Sequence, residues 1–296
     1  MEGHMKRNNV KILIAFLAIS LLLTGCIHPE EPGDLTTTPA DESQIDKNSV
    51  GSYQTMEYTY LTNVNVATLT TNLDPAYLLL ANKSNSLSDT YKPAQMTRLT
   101  CATLQSDRTY ELDSRAATAL YAMLAEMKAA GVGDIMVASA YRSYDYQVSL
   151  YNKYIQLESS GISEDARRVF GEEYIKANYL DKKIFSLSLE DARTVVQSYS
   201  AIPGQSEHQT GLCVDFITSD MGNELTEAFE LTDAYRWLSQ NAYKFGFILR
   251  YPDGKEDITG YTYEPWHYRF VGREVATDIY NSNITLEQYL QLTSNQ

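Results

Sequence analysis

Apolar residues change their spacing several times along this chain, and each spacing predicts an element. Ala116, Leu120, Met123, Leu124, Met127 and Ala130 recur at helical spacing after Asp113-Ser114, and Gly131 and Gly133 end the run. Ile135 to Ala140 follows as a buried strand, and Tyr144 to about Leu157 as a second helix. Residues 159–200 are polar and helical, with Ser163 and Ser188 placed as caps, and predict a helical excursion from the core. Leu212, Val214 and Phe216 alternate with Cys213 and Asp215, so one strand face is core and the other is free to form a site. Ala234 to Phe245 is amphipathic and stops at Gly246; Phe247 to Tyr251 is a strand, and Pro252-Asp253-Gly254 a turn. The apolar run Ala76–Leu80 before Asn82 predicts a further strand leading into a loop. Pro265 opposes a helix through Glu264–His267, which is therefore extended and leads to a C-terminal helix from about Gly272. No repeat is visible. The pattern is that of an α+β single domain with a small antiparallel sheet flanked by helices.

The first 52 residues follow a different pattern. Lys6, Arg7 and Lys11 precede an apolar run from Ile12 to Leu23, closed by Leu23-Thr24-Gly25-Cys26. A basic start, a short apolar stretch and small residues before a cleavage point describe a secretory signal, too short for a comfortable membrane span. The cysteine at that point gives the segment the look of a bacterial lipoprotein signal, with residues 1–25 removed and Cys26 carrying the lipid anchor. An ordinary signal peptide with an incidental cysteine is the alternative. Met5-Lys6-Arg7 reads better than Met1 as the start. Residues 26–52 are rich in Pro, Thr, Asp, Glu and Ser, and form a tether that cannot bury enough apolar surface to fold. The expected location is extracytoplasmic, on the membrane surface. About 240 residues remain from residue 53 to 296, enough for one sizeable core.

Composition narrows the partners. The net charge of -14, with no basic stripe, argues against nucleic acid as a partner. Of three cysteines, Cys26 is assigned to lipid; Cys101 and Cys213 either pair or stay reduced and packed.

Only two of the four histidines, His208 and His267, lie beyond the N-terminal region, and both sit beside carboxylates. Two imidazoles and one carboxylate suffice for a catalytic zinc whose fourth position holds water. A second carboxylate, Glu264, stands three residues before His267 and can take a proton from that water. Arg142 offers a planar fork of donors suited to a carboxylate or a developing oxyanion.

Three segments carry a family resemblance: Ser139-Ala140-Tyr141-Arg142-Ser143-Tyr144-Asp145-Tyr146-Gln147, Ser206-Glu207-His208-Gln209-Thr210-Gly211-Leu212-Cys213-Val214-Asp215 and Glu264-Pro265-Trp266-His267-Tyr268-Arg269. Together, over about residues 75–283, they resemble the VanY-type zinc D-alanyl-D-alanine carboxypeptidases and the related LdcB-type L,D-carboxypeptidases. The resemblance implies a Hedgehog/DD-peptidase-like zinc peptidase fold and one zinc per domain, held by His208, Asp215 and His267. It implies Glu264 as catalytic base, Arg142 as the residue holding substrate near the scissile carbonyl, and Gln147 and Ser206 as substrate-binding groups. The substrates it implies are peptidoglycan stem peptides, cut either at D-Ala-D-Ala or, on tetrapeptide stems, by L,D-carboxypeptidation; a non-catalytic wall-binding module is a third possibility. Cys213 stands where the family usually has alanine, and reads as a small packed side chain rather than a ligand. Trp266 reads as packing beside the site, and Tyr141 and Tyr268 as candidate cleft residues. The 159–200 stretch is longer than the family's usual connection.

Overall fold

The computed structural model describes residues 57–222 and 224–294. The signal segment 1–25, Cys26 and the tether 26–52 lie outside the described residues. Among the described residues no helix is long and apolar enough to cross a membrane.

A two-stranded antiparallel ribbon comes first, β1 (Met96–Arg98) with β2 (Glu111–Asp113). Helix α1 (Ser114–Ala129) starts where the Asp113 carboxylate accepts hydrogen bonds from the Arg115 and Ala116 amides, satisfying donors that the first turn leaves free. Its Ala116, Leu120, Met123 and Met127 are fully buried, as the helical spacing requires. Strand β3 (Met136–Ser139), helix α2 (Tyr144–Glu158), capped by Ser143, and the short helices α3 (Glu164–Phe170) and α4 (Glu172–Ile175) follow. A π-turn over Lys176–Leu180 leads to α5 (Leu189–Tyr199). Ser163 and Ser188 do cap α3 and α5, accepting from the Ala166 and Asp191 amides. The excursion has its own apolar cluster, with Ala166, Ile175, Val195 and Val196 packed on Tyr151 and Ile155 of α2.

The main sheet is antiparallel, in the order β3–β4–β6–β5, with β4 (Cys213–Ile217), β5 (Phe247–Leu249) and β6 (His267–Phe270). Between β4 and β5 lies α6 (Asp233–Asn241); α7 (Glu256–Thr259) precedes β6, and α8 (Arg273–Ser282) and α9 (Leu286–Thr293) close the described chain. Val214, Phe216, Tyr268 and Phe270 join α1 in the main core. Their strand neighbours Cys213, Asp215, His267 and Arg269 therefore point the other way, although they too are buried. The fold is the α+β arrangement that the sequence predicts.

Two details differ from the sequence expectation and two refine it. Ala76–Leu80 is not a strand: Pro75–Leu78 is a 3₁₀ turn, started by Pro75 and by the Asp74 carboxylate accepting from the Ala76 amide. The helix expected to reach Phe245 ends at Asn241, and Ala242–Phe245 tightens into 3₁₀ geometry before the left-handed Gly246. The extended segment near His267 is a sheet strand that runs on to Phe270. Cys101 and Cys213 are both free thiols, so the paired alternative is not realised.

Candidate active site

The β4–β6 register places Asp215 directly opposite His267. His208 arrives from a 3₁₀ turn, Glu207–Thr210, closed by Gly211 at φ 69°. A side chain at residue 211 would meet Pro93 and Met96, so glycine is needed both for the backbone and for the space. That turn delivers the His208 ring to within 5.0 Å of the His267 ring, edge to face. The motifs at 206–215 and 264–269 thus converge from 3₁₀ turn and strand onto one point.

Each imidazole has one nitrogen committed elsewhere. His208 Nδ1 donates to the Ala140 carbonyl at 2.7 Å, which leaves Nε2 toward the site. His267 Nε2 meets Glu207 Oε2 at 3.0 Å, which leaves Nδ1 toward the site. Such second partners fix the tautomer and aim of metal-binding histidines. The inward nitrogens lie 3.1 Å from Asp215 Oδ2 and 2.9 Å from Asp215 Oδ1. His208 Nε2 and Asp215 Oδ1 are nonetheless buried without an aligned hydrogen bond. Close approach without alignment is what donor atoms show when they share an external target. Burial disfavours charge on both rings, and Arg142 adds to this at His208, yet Asp215 and then Cys213 lift His208 above its ordinary range, and Cys213, Asp215 and Glu207, in that order, lift His267 well above it. The pocket favours positive charge, and two imidazoles with a carboxylate suit a zinc-sized dication.

Glu264 Oε2 lies 3.6 Å from His267 Nδ1, and the side chain is only 14% exposed. Desolvation raises its carboxyl to about 7, within the range in which a base both holds and releases a proton near neutral pH. Arg142 comes from the loop between β3 and α2, where its amide donates to the His208 carbonyl at 3.2 Å. Its Nε is buried and unpartnered, and its Nη1 donates to Gln147 Oε1 at 3.2 Å.

Arg142, Ser206, His208, Asp215, Glu264, Trp266 and His267 all line one cleft of about 980 Å³. Gln147 does not line it. Its side chain is buried behind Arg142, with Nε2 donating to the Ala201 carbonyl at 2.8 Å, so it orients the arginine instead of facing the cleft. Tyr268 is fully buried in the main core, and Tyr141 is not among the lining residues; the cleft tyrosines include Tyr154, Tyr199, Tyr251 and Tyr263. Trp266 both packs on the core and lines the cleft. The excursion reaches it too, through Asp165, Arg168 and Tyr199.

No sequence motif marks the support beneath His267. Glu207 is buried; its Oε1 accepts from Arg250 Nε at 2.7 Å and from Arg269 Nη1 at 2.6 Å. Burial opposes its charge, but the two guanidiniums and His267 overcome that and hold the carboxyl well below the ordinary range. Arg250 continues to Glu287 on α9 with bonds of 2.9 and 2.6 Å, and Arg269 to the Tyr77 and Leu79 carbonyls at 3.0 and 2.9 Å. Arginines embedded in apolar strand runs were the available signal, since a buried charge needs a buried partner.

The sequence profile of the VanY family, described as D-alanyl-D-alanine carboxypeptidase, matches residues 109–273. YodJ of Bacillus subtilis (strain 168) is 31% identical over 268 residues, covering 86% of this chain and 86% of its own. The structure of the LdcB LD-carboxypeptidase is similar at a TM-score of 0.57 and 34% identity, over 73% of this chain and 87% of that one. A variant of the vancomycin-resistance D,D-pentapeptidase VanY in complex with Zn(II) matches at 0.53 and 32%, over 73% and 99%. With a family profile over more than half of its length and a relative aligned along most of both chains, this chain belongs to the VanY family of D-alanyl-D-alanine carboxypeptidases.

Proposed function

We propose that this carboxypeptidase is zinc-dependent and removes the C-terminal D-alanine from peptidoglycan stem peptides. The observation that carries the reading is the convergence of His208 Nε2, Asp215 and His267 Nδ1 beneath a cleft that also holds Glu264 and Arg142. His208, Asp215 and His267 would hold the ion, which when bound supplies Lewis acidity at the scissile carbonyl and lowers the pKa of water.

The chain's own groups do the rest. Glu264 takes the proton of the attacking water at its carboxylate and passes it to the departing amine. Its desolvated setting makes both transfers feasible near neutral pH. Gln147 holds the Arg142 guanidinium by Nη1, and the unpartnered Nε and remaining donors are available to the substrate carboxylate or the developing oxyanion. Ser206 adds a polar group to the lining. The anchor at Cys26, outside the described residues, would keep the enzyme at the membrane surface beside its substrate.

The similarity to LdcB favours a second reading, L,D-cleavage of tetrapeptide stems. Product analysis on defined stems separates the two. The first reading predicts that pentapeptide loses D-alanine and tetrapeptide persists, and the second predicts the reverse. Equal cleavage of free-acid and C-terminally amidated stems would sink both, because the site would then not read a terminal carboxylate.

A further inference from the structure

Cys213 has a place in this geometry beyond packing. It shares the site face of β4 with Asp215, and it is fully buried. The ligand atoms of His208, Cys213 and His267 all lie within 4.8 Å of one another. Donors around a tetrahedral zinc, at bond lengths of ~2.0–2.3 Å, stand ~3.5 Å apart, so side-chain adjustments of up to about 1 Å would bring this trio to coordination distance. A second observation points to the same spot. His208 Nε2 is buried, directed inward and without an aligned hydrogen bond, with its other nitrogen fixed by the Ala140 carbonyl. The cleft is lined by His208, Asp215 and His267, but not by Cys213. The thiol therefore approaches from the buried side, opposite the side open to substrate.

Building on the metal reading above, we infer that Cys213 Sγ is a fourth protein ligand to the ion. It completes the set of His208, Asp215 and His267 from beneath. A thiolate donor biases the site toward zinc and other thiophilic ions, and away from magnesium, calcium and manganese. Cys213 would hold the ion from the buried side, and the cleft-facing side would stay open to water or substrate.

Cobalt(II) tests this without relying on turnover, because a thiolate bound to cobalt gives an intense near-ultraviolet charge-transfer band that nitrogen and oxygen donors lack. The full chain is loaded with one equivalent of cobalt, as wild type, Cys213→Ala, Cys213→Ser, and a Cys26→Ser/Cys101→Ser double variant. The sequence has three cysteines, so the double variant keeps Cys213 as its sole thiol. The band is expected in wild type and in the double variant. It should vanish in both Cys213 variants, while the weaker visible cobalt bands persist. Chelator competition should show weaker cobalt retention in Cys213→Ala by at least about tenfold, the lower limit for losing even an outer partner of a ligand. Bound cobalt with no charge-transfer band in wild type overturns the thiol ligand and leaves the metal site standing. Absence of any cobalt binding overturns the metal reading itself. Should the Cys213 variants misfold, the double variant alone decides.

Discussion

Glu264 shows what a single residue contributes and what it costs. Its carboxyl is raised from the usual 4.5 to about 7 by desolvation. Between those pH values the fold favours the protonated form while the unfolded chain is ionised. Folding stability of the metal-free protein therefore falls as pH rises through that window, and the full penalty stands above it. At ~1.4 kcal/mol per pH unit the penalty reaches about 3 kcal/mol. Glu264→Gln should thus raise the Tm of metal-free protein by several degrees at pH 8 and hardly change it at pH 4, as read by thermal scans. The same variant should keep its metal and lose about 10²- to 10⁴-fold in turnover. Near-normal turnover would assign the water's proton to another group. Glu264, His208, Asp215 and His267 were legible because each sits in a motif whose residue types suit a metal and a base. Glu207 was not, although it is adjacent to His208, because its role depends on Arg250 and Arg269, distant in sequence and brought to it only by the sheet. Glu207→Gln leaves those two buried guanidiniums short of negative charge, which should destabilise the fold by about 3–5 kcal/mol. Because His267 loses its charged partner, metal affinity in the folded fraction should also drop about 10- to 100-fold. Denaturant titration and chelator competition measure the two effects separately. Unchanged metal affinity would reduce Glu207 to a structural ion-pair partner.

Elements were legible where their period is long enough to register. Sixteen-residue α1 shows its buried stripe plainly, and β4 its alternation. The three-residue strands of the β1–β2 ribbon are too short for any period. The apolar run at 76–80 misled because the deciding signal lay upstream, in Asp74-Pro75, a 3₁₀ start that also delivers the Tyr77 and Leu79 carbonyls to Arg269. The excursion is legible as helical because its caps are local. Its apolar cluster is separate from the main core, so its stability should be separable too. Ser188→Ala removes the cap of α5 and should cost about 0.5–2 kcal/mol. Hydrogen exchange should rise within 163–200, while exchange in β4 and β6 stays as it was. Global loss of protection would mean that the excursion and the sheet unfold as one.

At the scale of the whole molecule, a cleft about 980 Å³ in volume receives its floor from the main sheet and part of its lining from the excursion. If residues 26–52 act as the proposed tether, the cleft would reach wall peptides while the lipid at Cys26 holds the chain at the membrane. Cys26→Ala should release the protein from the membrane fraction or leave it unprocessed, and unchanged processing and retention on fractionation would remove the lipid anchor from the account. In the proposed mechanism the convergent histidines and carboxylates work through zinc on a C-terminal D-alanine. The measurement that addresses it most directly is D-alanine release from a defined stem pentapeptide, followed alongside elemental analysis through chelation and zinc re-addition. Active protein should hold about one zinc per chain, lose D-alanine release together with zinc, and recover both together. Full D-alanine release from protein that elemental analysis shows to be free of divalent metal would contradict it.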